Sequence, residues 1–111
     1  MKIADLRGNA EKGSGEYVFG ALETGSHACY MIYGILKPGE KERVIRPGKG
    51  HEEMLAAVQG TLTLTGHYEG QLEEGKAIHI VGEQACFLEN RGVSEAVYLV
   101  AGGHSGGDHG H

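Results

Sequence analysis

Short apolar runs, each closed by glycine or another turn former, leave this chain little choice of architecture. The runs are YVFGALE (17–23), ACYMIYGIL (28–36), ERVIR (42–46), EMLAAV (53–58), TLTLTG (61–66), KAIHIV (76–81), ACFLEN (85–90) and EAVYLVA (95–101). Between them lie TGS, KPGE, PGKG, QG, GHYEGQLEEG, GEQ and NRGVS, all rich in turn residues. TLTLT alternates cleanly, placing Leu62 and Leu64 on one face and Thr61, Thr63 and Thr65 on the other. The chain has 20 glycines and only 2 prolines in 111 residues, without a collagen-like period, which suits many tight turns. Only MLAAV could pass for a helical turn, and it is too short to stand as a helix. The expectation is a single all-β domain, a sandwich or barrel.

Composition excludes several classes of partner. A formal charge of −5 with no long basic cluster disfavours nucleic acid and anionic membranes. No apolar run approaches the ~20 residues of a membrane-spanning helix, and MKIADLRGNAEKGSGE lacks the apolar core of a signal peptide. A cytoplasmic address follows by default, so Cys29 and Cys86 read as free thiols. Residues 1–15 are expected to be an N-terminal arm or edge strand, 16–101 the barrel, and 102–111 a flexible tail rich in glycine and histidine.

Two stretches, EKERVIRPGKGHEEMLAAVQG and GKAIHIVGEQACFLEN, resemble the two sequence motifs of the cupin family. Those motifs run G-x5-H-x-H-x3,4-E-x6-G and G-x5-P-x-G-x2-H-x3-N. Glu53 and Gly60 fit the second half of the first motif, and Gly75 and Asn90 frame the second. The first-motif histidine positions fall on Pro47 and Lys49 with the shorter spacer, or on Arg46 and Gly48 with the longer. In the second motif the proline becomes Val81, the inner glycine Glu83 and the histidine Cys86. The resemblance covers roughly residues 28 to 101, including the turn LKPGE (36–40). It implies a cupin-type double-stranded β-helix, a small jelly-roll barrel open at one end, and commonly a homodimer.

The family typically holds one divalent metal on three histidines and a glutamate, and only Glu53 carries over directly. Cys86 stands at the second-motif ligand position, where a thiolate would favour zinc, copper(I) or iron over manganese. His51 lies two residues before Glu53, so in a strand both project to one face. His51, Glu53 and Cys86, with His104 as a fourth candidate, would then hold zinc, iron, nickel, copper or manganese at the mouth. The competing reading of His51 is a rim histidine in a metal-free barrel, and of Cys86 an inert packed thiol. Lys49 and Arg46 near the mouth would favour an acidic ligand, against the plain reading of a solvated turn. His79, between Ile78 and Ile80, is expected to face outward. The tail residues His104, Asp108, His109 and His111 could chelate metal weakly.

Three functions follow from these residues. The first is a metal-dependent cupin enzyme of oxygenase or isomerase type acting on a small organic molecule. The second is a metal-free module that binds a small acidic ligand. The third is metal handling through the tail.

Overall fold

Backbone pairing, more than side-chain chemistry, organises this chain. The computed structural model describes residues 1–105. In chain order the elements are α1 (Leu6–Lys12), β1 (Glu16–Phe19), α2 (Ala21–Thr24), β2 (Cys29–Leu36), β3 (Arg43–Ile45), β4 (His51–Gln59), β5 (Leu62–Gly66), β6 (Gly70–Leu72), β7 (Ala77–Val81), β8 (Cys86–Glu89) and β9 (Ala96–His104). They form a five-stranded sheet ordered β1-β2-β9-β4-β7 and a four-stranded sheet ordered β3-β8-β5-β6. All strand pairs are antiparallel, as expected of an all-β chain. MLAAV belongs to β4. No helix among the described residues is long and apolar enough to cross a membrane.

Alternation along each strand builds the core. Leu55, Ala57, Tyr98, Val100, Leu36 and Ile80 face inward from the larger sheet, and all are buried. Ile45, Leu62, Leu64, Leu72, Cys86 and Leu88 meet them from the smaller one. Leu62 and Leu64 point inward as the TLTLT pattern requires. Thr63, on the opposite face, is nonetheless covered, with Gln71 donating to its hydroxyl at 3.5 Å.

The motif frame residues serve as struts. Asn90 is buried; its amide donates to the carbonyls of Leu36 and Ser94, and its carbonyl accepts from Gly92 N. The turn Lys37–Pro38–Gly39–Glu40 closes with Glu40 N donating to Lys37 O, and Gly39 takes φ +84° as a type II turn requires. Gly39 N then donates to Asn90 O, while Asn90 N donates to Glu40 O. The turn and the second motif therefore hold one another in place.

Two tyrosines cross the larger sheet in matching ways. Tyr98 on β9 lies over Gly34 of β2 and donates 2.5 Å to Glu16 on β1. Tyr30 on β2 lies over Gly102 of β9 and donates to Glu53 on β4. A Cβ on Gly34 would stand 1.9 Å from the Tyr98 ring, and one on Gly102 2.2 Å from the Tyr30 ring. Each glycine is there because the ring occupies the space a side chain would need. Arg43 completes the first bridge, donating to Tyr98 Oη, Glu40 and the carbonyls of Gly15 and Ile35.

Two expectations for the termini need correction. The N-terminal segment, expected as an arm or edge strand, holds helix α1. Asp5 caps it by accepting from Gly8 N at 3.0 Å, and Gly13 N closes it onto Asn9 and Ala10. Ala10 is fully buried, and Arg7 reaches Glu95 at 2.6 Å, so tertiary contacts hold a helix that propensity alone disfavours. At the other end, residues 102–104 are part of β9, not of a tail. Gly102 and Gly103 bury no side chain, but their backbones pair with β2 and β4. Asp108, His109 and His111 lie outside the described residues.

The crossings predict unequal costs for two similar substitutions. Gly34→Ala has no room, because Tyr98 is fully buried and cannot move aside. It should cost roughly 3 kcal/mol in urea unfolding. Gly102→Ala should cost less, about 2 kcal/mol, since the half-buried Tyr30 can swing outward at the expense of its bond to Glu53. Equal losses would show that the rings do not set the cost.

Candidate functional site

One end of the barrel gathers the chemistry. Register places His51 directly across from His104, and Glu53 across from Gly102, on the inward faces of β4 and β9. Tyr30 enters over Gly102 from β2 and donates its hydroxyl to Glu53 Oε2. The rings of Tyr30, His51 and His104 form a contiguous cap, with centroids 6.1 Å apart for the first pair and 4.7 Å for the second. A shallow cleft of about 280 Å³ on the outer side of the sheet reaches Gly102, Gly103 and His104.

Beneath the cap sits Glu53, only 5% exposed. Its Oε2 is satisfied by Tyr30, but its Oε1 is buried without a hydrogen-bond partner among the described residues. A buried polar atom left unpaired costs about 1–3 kcal/mol. Burial pushes the Glu53 carboxyl above the usual carboxylate range. The Tyr30 hydrogen bond and the nearby His51 favour the ionised form but do not outweigh that burial. The Tyr30 phenol is pushed up in turn, first by burial and then by its bond to Glu53.

The structure separates Cys86 from this group. It lies on β8 in the smaller sheet, paired with Ile45 of β3 and Gly66 of β5, and is fully buried in the hydrophobic core. Burial raises its thiol to about 11, which suits a packed, protonated side chain in the absence of a cation. Among the described residues, no three His, Cys, Asp or Glu side chains come together to hold a metal ion. The four-ligand site of the cupin motifs therefore does not fit these residues. His51, Glu53 and His104 share one end, and Cys86 is a packing residue.

Arg46 and Lys49 lie on the loop leading into β4, both exposed, with no ion pair among the described residues. The Lys49 carbonyl faces His51 Nδ1 at 3.3 Å. His79 faces outward as expected and meets Glu52 at 2.8 Å. Tyr30 is the site residue that sequence reasoning missed. Its only signal was a glycine at the facing position of another strand, and that becomes visible only once the register is known.

No protein-family model and no curated protein sequence matches the chain. Solved structures do. A cupin protein of Bacteroides fragilis superposes with TM-score 0.73 at 16% identity, over 100% of this chain and 87% of that one. The protein TT1209 of Thermus thermophilus gives TM-score 0.69 at 22% identity, covering 94% of this chain and 98% of its own. An oxalate oxidase in complex with the substrate analogue glycolate gives 0.72 at 18% identity, covering 92% of this chain and 59% of its own. The chain has the cupin fold, a double-stranded β-helix.

Glu53 gives a pH signature. Its folded pKa is raised, so its contribution to stability is fully present below the unfolded value and is lost as pH rises through the folded one. Glu53→Gln should therefore be more stable than the natural protein at neutral pH, and the gain should vanish in acid. Melting curves across pH check this. The two thiols should also differ sharply. A thiol-reactive dye should label exposed Cys29 at once, and buried Cys86 only on unfolding.

Proposed function

We propose that the protein is a cupin-fold binding module that takes a small hydroxylated organic acid at the Glu53 end of the barrel. The observation that carries this reading is the buried, unpartnered Oε1 of Glu53. A carboxyl oxygen held there at a cost to folding becomes satisfied when a ligand hydroxyl donates to it. The exposed cations Arg46 and Lys49, on the loop entering β4, supply the complementary charge for a ligand carboxylate. One neighbour of the same fold, the oxalate oxidase, is solved with glycolate, a molecule of this class.

The ligand is held by hydrogen bonds and charge. Because Oε1 is closed off from solvent, the rings of Tyr30 and His51 must turn aside for entry.

Glycolate and acetate make a matched pair of probes, differing by the hydroxyl that Glu53 would take. Chelator-treated protein should be stabilised by glycolate and much less by acetate. At a hundredfold excess over the dissociation constant the gain is about 2.7 kcal/mol, enough to move the melting temperature by several degrees. Glu53→Gln should abolish the difference between the two acids. Equal effects of both, or glycolate binding that survives Glu53→Gln, would reject the reading.

A further inference from the structure

The outer face of the smaller sheet carries a side-chain pattern unrelated to the Glu53 end. Strand register sets Val44, Phe87 and Thr65 side by side across β3, β8 and β5. The next row holds Glu89, Thr63 and Gln71 across β8, β5 and β6. Thr61, just ahead of β5, extends the line of hydroxyls to about 14 Å at the rise of a strand. Two depressions open along this strip. One of about 500 Å³ is bordered by Thr65, Phe87 and Lys41, and one of about 550 Å³ by Thr61, Thr63 and Gln71. Phe87 is 38% exposed, and its ring rests where Gly66 leaves room, since a Cβ on Gly66 would stand 2.9 Å from it. A ring seated in this way is an apolar platform open to solvent.

Formal charges along the strip are answered within the protein. Arg91 meets Glu89 at 3.1 Å, Glu95 meets Arg7 at 2.6 Å, and Glu74 accepts from Gly60 N at 2.9 Å. Lys41 and Glu42, neighbours at the Phe87 end, are opposite in sign. Neutral groups keep their capacity. Gln59 and Gln71 spend their amide nitrogens on Glu95 O and Thr63 Oγ1, and their amide oxygens have no partner among the described residues. The same holds for the hydroxyls of Thr61 and Thr65. A ligand that suits this face is uncharged, rich in hydroxyls and partly apolar. Sugar rings combine those properties, with C–H faces that pack on an aromatic ring and hydroxyls that both donate and accept.

We infer that the outer face of the smaller sheet binds a neutral, extended oligosaccharide, with one sugar ring on Phe87 and the following rings hydrogen-bonded along Thr65, Gln71 and Thr61. The strip lies on the other sheet from Tyr30 and Glu53, so this ligand and the small acid occupy separate places.

The full chain is titrated with cellohexaose and with xylohexaose, two neutral β-1,4-linked chains, while backbone amide resonances and heat are followed. With at least one of them, amides of residues 61–65, 71 and 86–89 should shift. Binding should be on the order of millimolar, as an open face implies, and insensitive to salt. Phe87→Ala should weaken it about tenfold and Phe87→Tyr should retain it. Thr65→Val and Gln71→Ala should each weaken it about fivefold with unchanged melting temperatures, separating lost contacts from lost folding. Glu53→Gln should bind the sugar as the natural protein does, which keeps this result apart from that with glycolate. Absence of shifts on the smaller sheet with both sugars overturns the inference. So does binding that is unchanged in Phe87→Ala, or, should that variant not fold, in the double variant Thr65→Val/Gln71→Ala.

Discussion

A tyrosine can cross a β-sheet only where the strand beneath it carries glycine, and that steric rule shapes both ends of this barrel. Tyr98 over Gly34 and Tyr30 over Gly102 each reach past one strand to a glutamate on the next. Strands β2 and β9 exchange the two roles, each giving one tyrosine and one glycine. Hydrogen bonds perpendicular to the strands are thereby laid across a sheet that backbone pairing alone would hold.

The two crossings end differently. At the Tyr98 end every buried side-chain polar group among the described residues has a partner, with Arg43 spanning Tyr98, Glu40 and two backbone carbonyls. This network binds the segment at Gly15 and Glu16 to the barrel, and its completeness is what a structural element requires. At the Tyr30 end the network stops one bond short, at Glu53 Oε1. The contrast within one molecule gives the unpartnered oxygen its meaning: the same device is finished at one end and left open at the other.

The second-motif positions that depart from the family pattern have other structural roles here. Val81 and Glu83 stand in the second motif where the family has proline and glycine, and Cys86 has joined the hydrophobic core. What remains is a carboxyl whose ionisation burial opposes, covered by three rings. The rim histidines lie outside that buried layer, His51 half-buried and His104 exposed.

Much of the fold was legible because strand alternation and turn chemistry are local. TLTLT states its own faces, and Pro38–Gly39 states its own turn. The pairing of Glu53 with Gly60 and of Gly75 with Asn90 was legible as spacing, though not as the bracing it turns out to be. Helix α1 was missed because Gly8 and Asn9 suppress a helical pattern that burial of Ala10 restores, although Asp5 at its start was a readable cap. His51 and Glu53 share a face by period alone. His104 joins them only through the register of β4 against β9, and Tyr30 only through a second register, β2 against β9. Cys86 faces inward as its strand dictates, but which layer it enters depends on the other sheet. The sequence by itself determined most strands and turns and the absence of the histidine set. It did not determine β6, which lies in the stretch GHYEGQLEEG read as a turn, nor α2, which closes the run YVFGALE. Tertiary structure alone decided which side chains meet, because contacts between strands distant in the chain follow from pairing register, which no local pattern encodes.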